Sequence, residues 1–490
     1  MKLKLFIISI FVCTIVSCKE KNENPTGNGN TEHVAGDVIV YVTTTSRSYD
    51  LKKIGGVYFS EDPYTLATTI KLKPNEKFQT IDGFGAAVTG SSAYNLLKMS
   101  QEDRTKFLKE TYSESEGFGS SYVRISIGCS DFSLSEYTCW DNQNADFSLT
   151  NEETQYVIPV LKEILAINPN IKILGSPWTC PRWMKVNNLT DLQPFNSWTS
   201  GQLNPAHYAD YGDYFVKWIQ AFEAENINIY AVTPQNEPLN RGNSASLFMG
   251  WSEQRDFLNT SLVPKIKAAG LNTKIYLFDH NYNYDNMAAQ NDYPVKIYNS
   301  GVDTAVVVGA AYHNYGGNYS ELNDIHSQYP DKELIFSEAS IGIWNDGRNL
   351  DASLLRDMEE LGLGTVDNWC KAVIVWNLML DNDRAPNREG GCQTCYGAVD
   401  INNTNYKAIT RNSHYYVIAH LSSVVKPNAT RIGTSGFTAS GISYTAFENV
   451  DGTYALVFIN KNADQEVTIE DGKKHFTYTL PAKAVVSMRW

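Results

Sequence analysis

Residues 226–240, NINIYAVTPQNEPLN, run from a short apolar strand into a turn that carries a glutamate. Ile227, Ile229, Ala231 and Val232 suit a strand covered on both faces, and Pro234 and Pro238 stop ladder pairing beyond it. Glu237 is thus delivered at the C-terminal end of a buried strand, where a barrel of parallel strands keeps its chemistry. Alone, Asn-Glu-Pro describes a solvated turn as well as a catalytic one. A second stretch tips the reading: ELIFSEAS, residues 333–340, is another short apolar strand ending in an acid, Glu338. Two strand-end glutamates converging on one bond are the minimum equipment for glycoside hydrolysis.

Working outward, the same rhythm repeats. Strands are predicted at 80–87, 122–128, 171–177, 227–233, 274–279, 304–312, 333–337 and 372–377, with helical spacing at 153–167, 207–225 and 253–269 between them. Strand and helix alternating over some 300 residues imply parallel strands with helical crossovers, and eight repeats favour a closed (β/α)8 TIM barrel over an open sheet. No GxGxxG or P-loop suggests a nucleotide site. Short alternating strands at both chain ends, in 37–72 and at 442–448, 453–460, 466–470, 476–480 and 484–488, are expected to pair as one side β-sandwich. The expected domains are a β-sandwich from 37–77 and 411–490 and a barrel over 78–410.

The 490-residue chain opens with an apolar run, 5–16, behind Lys2 and Lys4, too short to span a bilayer and placed as a signal peptide's core is. It ends in Ile15-Val16-Ser17-Cys18, which resembles the lipobox of bacterial lipoproteins. The expectation is a signal peptide at 1–17, lipidation of Cys18, a polar tether at 18–36 and an outer-membrane or cell-surface location, with the lipid as the only membrane contact. Cleavage there leaves 39 basic against 54 acidic residues, which argues against nucleic acid and anionic lipid head groups as partners. The chain is expected to act as a monomer. Cys129, Cys139, Cys180, Cys370, Cys392 and Cys395 remain, an even number in an exported protein, so disulfides are open with their connectivity undecided. The pair Cys392/Cys395 lacks a second such pair or a nearby His to complete a zinc site and reads as a loop-closing disulfide.

The other strand ends carry residues that suit a sugar better than a core: Arg124 and Asp131, Trp178, His313 with Tyr315, and Trp376 with Asn377. Sugar C–H faces stack on aromatic rings while hydroxyls take hydrogen bonds from Asp, Asn and His. Each has an ordinary structural explanation singly; their joint placement at strand ends is what such explanations fit poorly. No cofactor or metal is expected, since the histidines show no HExxH or other ligand spacing. Repulsion between two close carboxyls is expected to keep Glu237 protonated and leave Glu338 anionic beside Arg124 and Tyr315.

Seven segments in order, DGFGAAVTGSSA, VRISIGCSDFS, ILGSPWTCPRWMK, TPQNEPL, AYHNY, FSEAS and VIVWNLMLD, resemble glycoside hydrolase family 30, the family of lysosomal glucosylceramidase, bacterial glucuronoxylanases and microbial β-1,6-glucanases. The resemblance implies a barrel with a side β-sandwich, a retaining mechanism, Glu237 as acid/base and Glu338 as nucleophile. It further implies that Asn236 bonds the sugar 2-hydroxyl and that Asp131, Trp178, Tyr315 and Trp376 contact sugar. The favoured substrate is a β-glucan cut by an endo-β-1,6-glucanase, because a tethered lipoprotein suits harvesting polysaccharide outside the cell. Exo-β-glucosidase, glucosylceramidase and xylanase activities are alternatives, with Arg384 and Arg388 as candidate ligands for a uronic acid. A non-catalytic glycan-binding lipoprotein is the competing class, and it has no need of both glutamates.

Overall fold

The computed structural model describes residues 36–282, 287–472 and 474–490. The expected signal peptide and Cys18 lie outside the described residues. Eight parallel strands close a barrel: Gly83–Ala87, Tyr122–Ser126, Lys172–Ser176, Ala231–Val232, Lys274–Asn281, Val307–His313, Glu333–Glu338 and Cys370–Val375, the last pairing back on the first through Ala372 and Gly83. Every predicted barrel strand has its counterpart. The Glu237 strand is the shortest, but its ladder bonds continue at Tyr230, whose N–H donates to Ile173, and at Thr233, whose N–H donates to Gly175.

Side chains alternate across each strand, so one set faces the barrel axis. Tyr122, Leu174, Ala231, Tyr276, Ala311, Ile335, Ala372 and Ile374 form an apolar layer inside the barrel. Two residues further along the same strands come Arg124, Ser176, Thr233, His313 and Ser337, all buried. The barrel interior thus changes from apolar to polar over one pleat, toward the end that carries the glutamates.

The chain ends do meet in one sheet, nine strands in the order Lys52–Ile54, Ile39–Thr44, Ala484–Arg489, Tyr454–Asn460, Ile442–Glu448, Thr430–Gly436, Thr69–Thr80, Gln465–Asp471 and Lys474–Leu480. Along Tyr454–Asn460 the alternation divides two cores. Leu456 and Phe458 pack with Val40, Val486 and Met488, whereas Ala455, Val457 and Ile459 join the barrel's own core. Two boundaries differ from expectation. Thr80 ends a strand of the side sheet, and the first barrel strand starts only at Gly83. Within 411–490, where the sequence predicts β-strands, Ser413–Val424 is an α-helix buried at every residue. A helix covered all round shows no apolar stripe, which is why its period escaped notice.

That helix is pinned by His420, whose ring nitrogens each lie 2.8 Å from a hydroxyl, Ser487 on one side and Thr43 on the other. Burial holds His420 down at about 3, and burial, opposed by the Asp357 charge, brings His414 to about 4. Both depressed histidines stay neutral in the fold while their unfolded counterparts protonate below about 6.5. Their contribution is therefore complete above that pH and is lost as pH falls toward 4, by about 1.4 kcal/mol per pH unit for each. Unfolding midpoints measured from pH 7 to pH 4.5 are expected to drop, with a shallower slope in His420→Gln. An identical slope would contradict this account.

Candidate active site

Glu237 leaves its strand in a left-handed backbone conformation, φ 44°, held by three main-chain bonds. Asn236 N–H donates to Pro177, Glu237 N–H to Asp279, and Asn240 N–H to Glu237 itself. Backbone held in that region by its surroundings is common where side chains are aimed for function. Glu338 ends its strand in extended conformation and pairs across to His313.

The two carboxylates meet on one imidazole nitrogen. His313 Nδ1 lies 3.3 Å from Glu237 Oε1 and 3.9 Å from Glu338 Oε1, and all three residues are buried. Retaining glycosidases need carboxyls about 5 to 5.5 Å apart, and a shared neighbour of this kind is compatible with that span. Arg124 Nη1 donates to Glu338 Oε2, and the Tyr315 hydroxyl donates to Glu338 Oε1 at 3.0 Å. Asn240 Nδ2 donates to Glu237 Oε2 at 2.7 Å and Asn243 Nδ2 to the same oxygen at 3.3 Å.

Under the pair sits a carboxylate to which the sequence reading gave no role. Asp279 is fully buried; its Oδ2 accepts from Arg124 (2.8 Å), Ser176 (2.9 Å) and Thr233 (2.7 Å), and its Oδ1 from Ser337 (2.6 Å) and His313 Nε2 (3.0 Å). A register shift between Phe278 and His280 re-aims the strand there, as bulges near active sites do. Burial works to raise Asp279, but the Arg124 charge, the His313 bond and charge, and the Ser337 bond hold it well below the usual carboxylate range. Asp279 closes the polar layer and fixes both Arg124 and His313. In Asp279→Asn, Arg124 loses one of two anionic partners and His313 the carboxylate that holds its Nε2 in place. Turnover is expected to fall roughly 10²-fold, as misplacement of catalytic groups does, with a stability loss of about 3–5 kcal/mol for a broken buried pair. Wild-type kcat together with an unchanged unfolding midpoint would show that Asp279 does neither job.

The electrostatics run against the expected protonation pattern. Burial raises Glu237, but the hydrogen bond from His313, the charges of His280 and His313 and the Asn240 bond together hold it below the usual carboxylate range. Glu338 is raised, by burial first and by the charge of Glu237, against the pull of His313 and Arg124. Burial lowers His313, yet Glu338, Asp279 and Glu237 lift it to about 9. Mutual repulsion alone does not set the pattern: His313, lying between the two acids, favours the charged form of Glu237.

Asp131, Glu237, Glu338, Tyr315 and Trp376 line one cleft, joined by Asn240, Asn243, His280, Asn281, Ser340, Trp344 and the Cys392–Cys395 disulfide. Trp178, Asn236, His313 and Arg124 stand behind that surface. Trp178 stacks on Trp376 with ring centroids 5.0 Å apart, and the Arg124 guanidinium sits 5.0 Å and 5.3 Å from the two rings. Asn236 Oδ1 accepts from Arg124 Nη2 at 2.7 Å, which fixes the way its amide faces. Burial, then the charges of Glu338 and Glu237, push Asp131 up to about 8, which favours the neutral carboxyl, a hydrogen-bond donor to a sugar hydroxyl. Tyr315 and Trp344 are the exposed aromatics of the cleft, 42% and 53% accessible. Trp344 and Asn240 lie beyond the strand ends and His280 next to the end of the strand Lys274–Asn281, and residues that far apart in sequence give no periodic signal. Cys129, Cys139, Cys180 and Cys370 are free and buried. Arg388 donates to the Ser244 carbonyl and hydroxyl and to the Ser135 carbonyl, and Arg384 to the Gln393 carbonyl, so both brace the loop rather than line the cleft.

The glycosyl hydrolase family 30 TIM-barrel domain matches residues 81–425, and the glycosyl hydrolase family 30 beta sandwich domain matches residues 428–488, without the side-sheet strands before residue 81. The chain belongs to glycosyl hydrolase family 30. Within that family it is 35% identical to the endo-1,6-beta-D-glucanase BGN16.3 of Trichoderma harzianum over 405 residues, 78% of each chain. It is 25% identical to the lysosomal acid glucosylceramidase of Mus musculus, covering 86% of this chain and 83% of that one. Among solved structures, the endo-beta1,6-glucanase BT3312 superposes with a TM-score of 0.90 at 64% identity, over 93% of this chain and 99% of that one.

Proposed function

We propose that this family 30 member is a retaining β-glycoside hydrolase that cuts β-1,6-glucan within the chain. The observation that carries the reaction class is the meeting of Glu237 and Glu338 on His313, with Glu338 oriented by Arg124 and Tyr315. Glu338 attacks the anomeric carbon while Glu237 protonates the leaving oxygen; Glu237 then activates water to release the glycosyl-enzyme ester. His313 Nδ1, 3.3 Å from Glu237 Oε1, holds the acid/base carboxyl in place beside the leaving oxygen. Arg124, tied to Asp279, steadies the attacking carboxylate without taking part in proton transfer. Trp376 supplies a ring face, and Asp131 a donor, for the sugar that reacts.

The linkage rests on likeness to the endo-1,6-glucanases, at 35% and 64% identity. Glucuronoxylan is the weaker reading, since Arg384 and Arg388 are engaged with the loop itself. The test is a panel of β-1,6-, β-1,3- and β-1,4-glucans, xylan, glucosylceramide and aryl glucosides, offered to the soluble protein beginning at Asp37. Oligosaccharides released early from β-1,6-glucan are the expected result; preferred release of glucose from chain ends, or preference for xylan or glucosylceramide, would overturn the assignment. A protein that binds glucan and cuts nothing would be the glycan-binding alternative.

Export and lipid anchoring at Cys18 are also proposed, supported by the lysines, apolar run and Ile-Val-Ser-Cys of residues 2–18. No described helix is long and apolar enough to cross a membrane. Cys18→Ala is expected to shift the protein from the membrane to the soluble fraction, and a variant that still sediments with membranes would contradict the anchor.

A further inference from the structure

We infer that the acid/base corner of the cleft is also a binding site for a divalent cation of borderline softness, of the Zn2+ class, which on occupying it switches the enzyme off. Three side chains point one ligand atom each at a common spot: Glu237, His280 and His313, all buried, with those atoms within 4.8 Å of one another. They come from the ends of three strands or their turns, 33 to 43 residues apart in sequence, so no ligand spacing betrays them.

The distances suit a small tetrahedral ion. Bonds of about 2.0–2.2 Å at tetrahedral angles put neighbouring ligand atoms roughly 3.3 Å apart. Glu237 Oε1 and His313 Nδ1 already stand 3.3 Å apart, His280 Nδ1 is 3.9 Å from the same oxygen, and the three ligand atoms lie within 4.8 Å of one another, so His280 has to close in by roughly an ångström to complete the set. His313 is oriented as a metal-binding imidazole is: Nε2 is held 3.0 Å from the Asp279 carboxylate, which presents Nδ1 toward the site. Two imidazoles and one carboxylate make the donor set of zinc sites that keep a fourth position for water, and Glu237 and His280 both line the cleft, so solvent can supply it. The ion binds the lone pair of His313 Nδ1, so any proton on that nitrogen leaves to solvent as the ion enters.

Occupancy removes the acid and fills the space of the leaving group, so inhibition competes with glucan. That consequence rests on Glu237 being the acid/base; the binding itself does not, and the experiment separates the two. Zn2+ at about 100 µM is expected to lower the rate at low glucan by about tenfold, with recovery on raising glucan or adding EDTA and no effect of Mg2+, which prefers oxygen ligands. Co2+ titrated into the wild-type enzyme should give visible absorption of a four-coordinate site saturating near one equivalent, displaced by gluco-oligosaccharide. In His280→Ala the inhibition constant, read against that variant's own uninhibited rate, should rise about tenfold or more and the Co2+ band should disappear. A Co2+ band without inhibition would leave the site standing and remove Glu237 from the reaction. Non-competitive inhibition, equal inhibition of His280→Ala, equal inhibition by Mg2+, or no Co2+ band in the wild type would each overturn the proposal.

Discussion

Glu338→Gln is expected to lose roughly 10⁴-fold or more in kcat on every substrate, because an amide oxygen cannot form the glycosyl ester through which both half-reactions pass. The fold should tolerate the change better than the chemistry does. Arg124 keeps its bonds to Asp279, Asn236 and Ser176, so its buried charge is still paired after the loss of Glu338. The raised Glu338 also means that its charge is held at some expense in this site, and neutralising it relieves that. Full turnover in a folded Glu338→Gln protein would take Glu338 out of the mechanism; loss of fold together with activity would place its role in the Arg124 network instead. Far-ultraviolet circular dichroism alongside kcat separates the two.

The barrel was legible because its strands are covered on both faces, so each reads as a short apolar run stopped by Gly, Pro or a polar residue at the mouth. The same logic found both glutamates and the aromatic lining at strand ends. It failed where a signal depends on contacts between distant segments. Ser413–Val424 is buried all round and has no stripe. Asp279 closes a strand like any polar residue, and only the convergence of five donors from Arg124, Ser176, Thr233, Ser337 and His313 marks it as the hub. Cys392–Cys395, expected as a loop-closing disulfide, is the one among the described residues, whereas the even cysteine count could not tell that Cys129, Cys139, Cys180 and Cys370 stay free. His313 was legible as a strand-end residue, but its place between Glu237 and Glu338, where its charge opposes their mutual repulsion, depends on contacts that no sequence spacing reveals.

Glu237→Ala should behave differently from the nucleophile variant, and the difference is large. General acid help matters most for a poor leaving group, so hydrolysis of glucan, which expels an alkoxide, is expected to fall by roughly 10²- to 10⁴-fold. Aryl glucosides with acidic phenols need no such help to glycosylate Glu338, where the cleft admits them. Their glycosyl-enzyme should then accumulate, because the base that activates water is missing. An external anion needs no general base, so azide should restore turnover in Glu237→Ala by intercepting the ester.

The stereochemistry of that rescue is the most direct test of the assigned roles. Azide attacking the ester on Glu338 in Glu237→Ala must approach from the face the leaving group vacated, which yields a β-glycosyl azide. In Glu338→Ala, azide can only stand in for the missing carboxylate on the opposite face and yields the α-azide. Proton NMR of the anomeric centre in the two azide products reads both outcomes. A β-azide from Glu237→Ala with at most an α-azide from Glu338→Ala is the result predicted by Glu237 as acid/base and Glu338 as nucleophile; an α-azide from Glu237→Ala would contradict it.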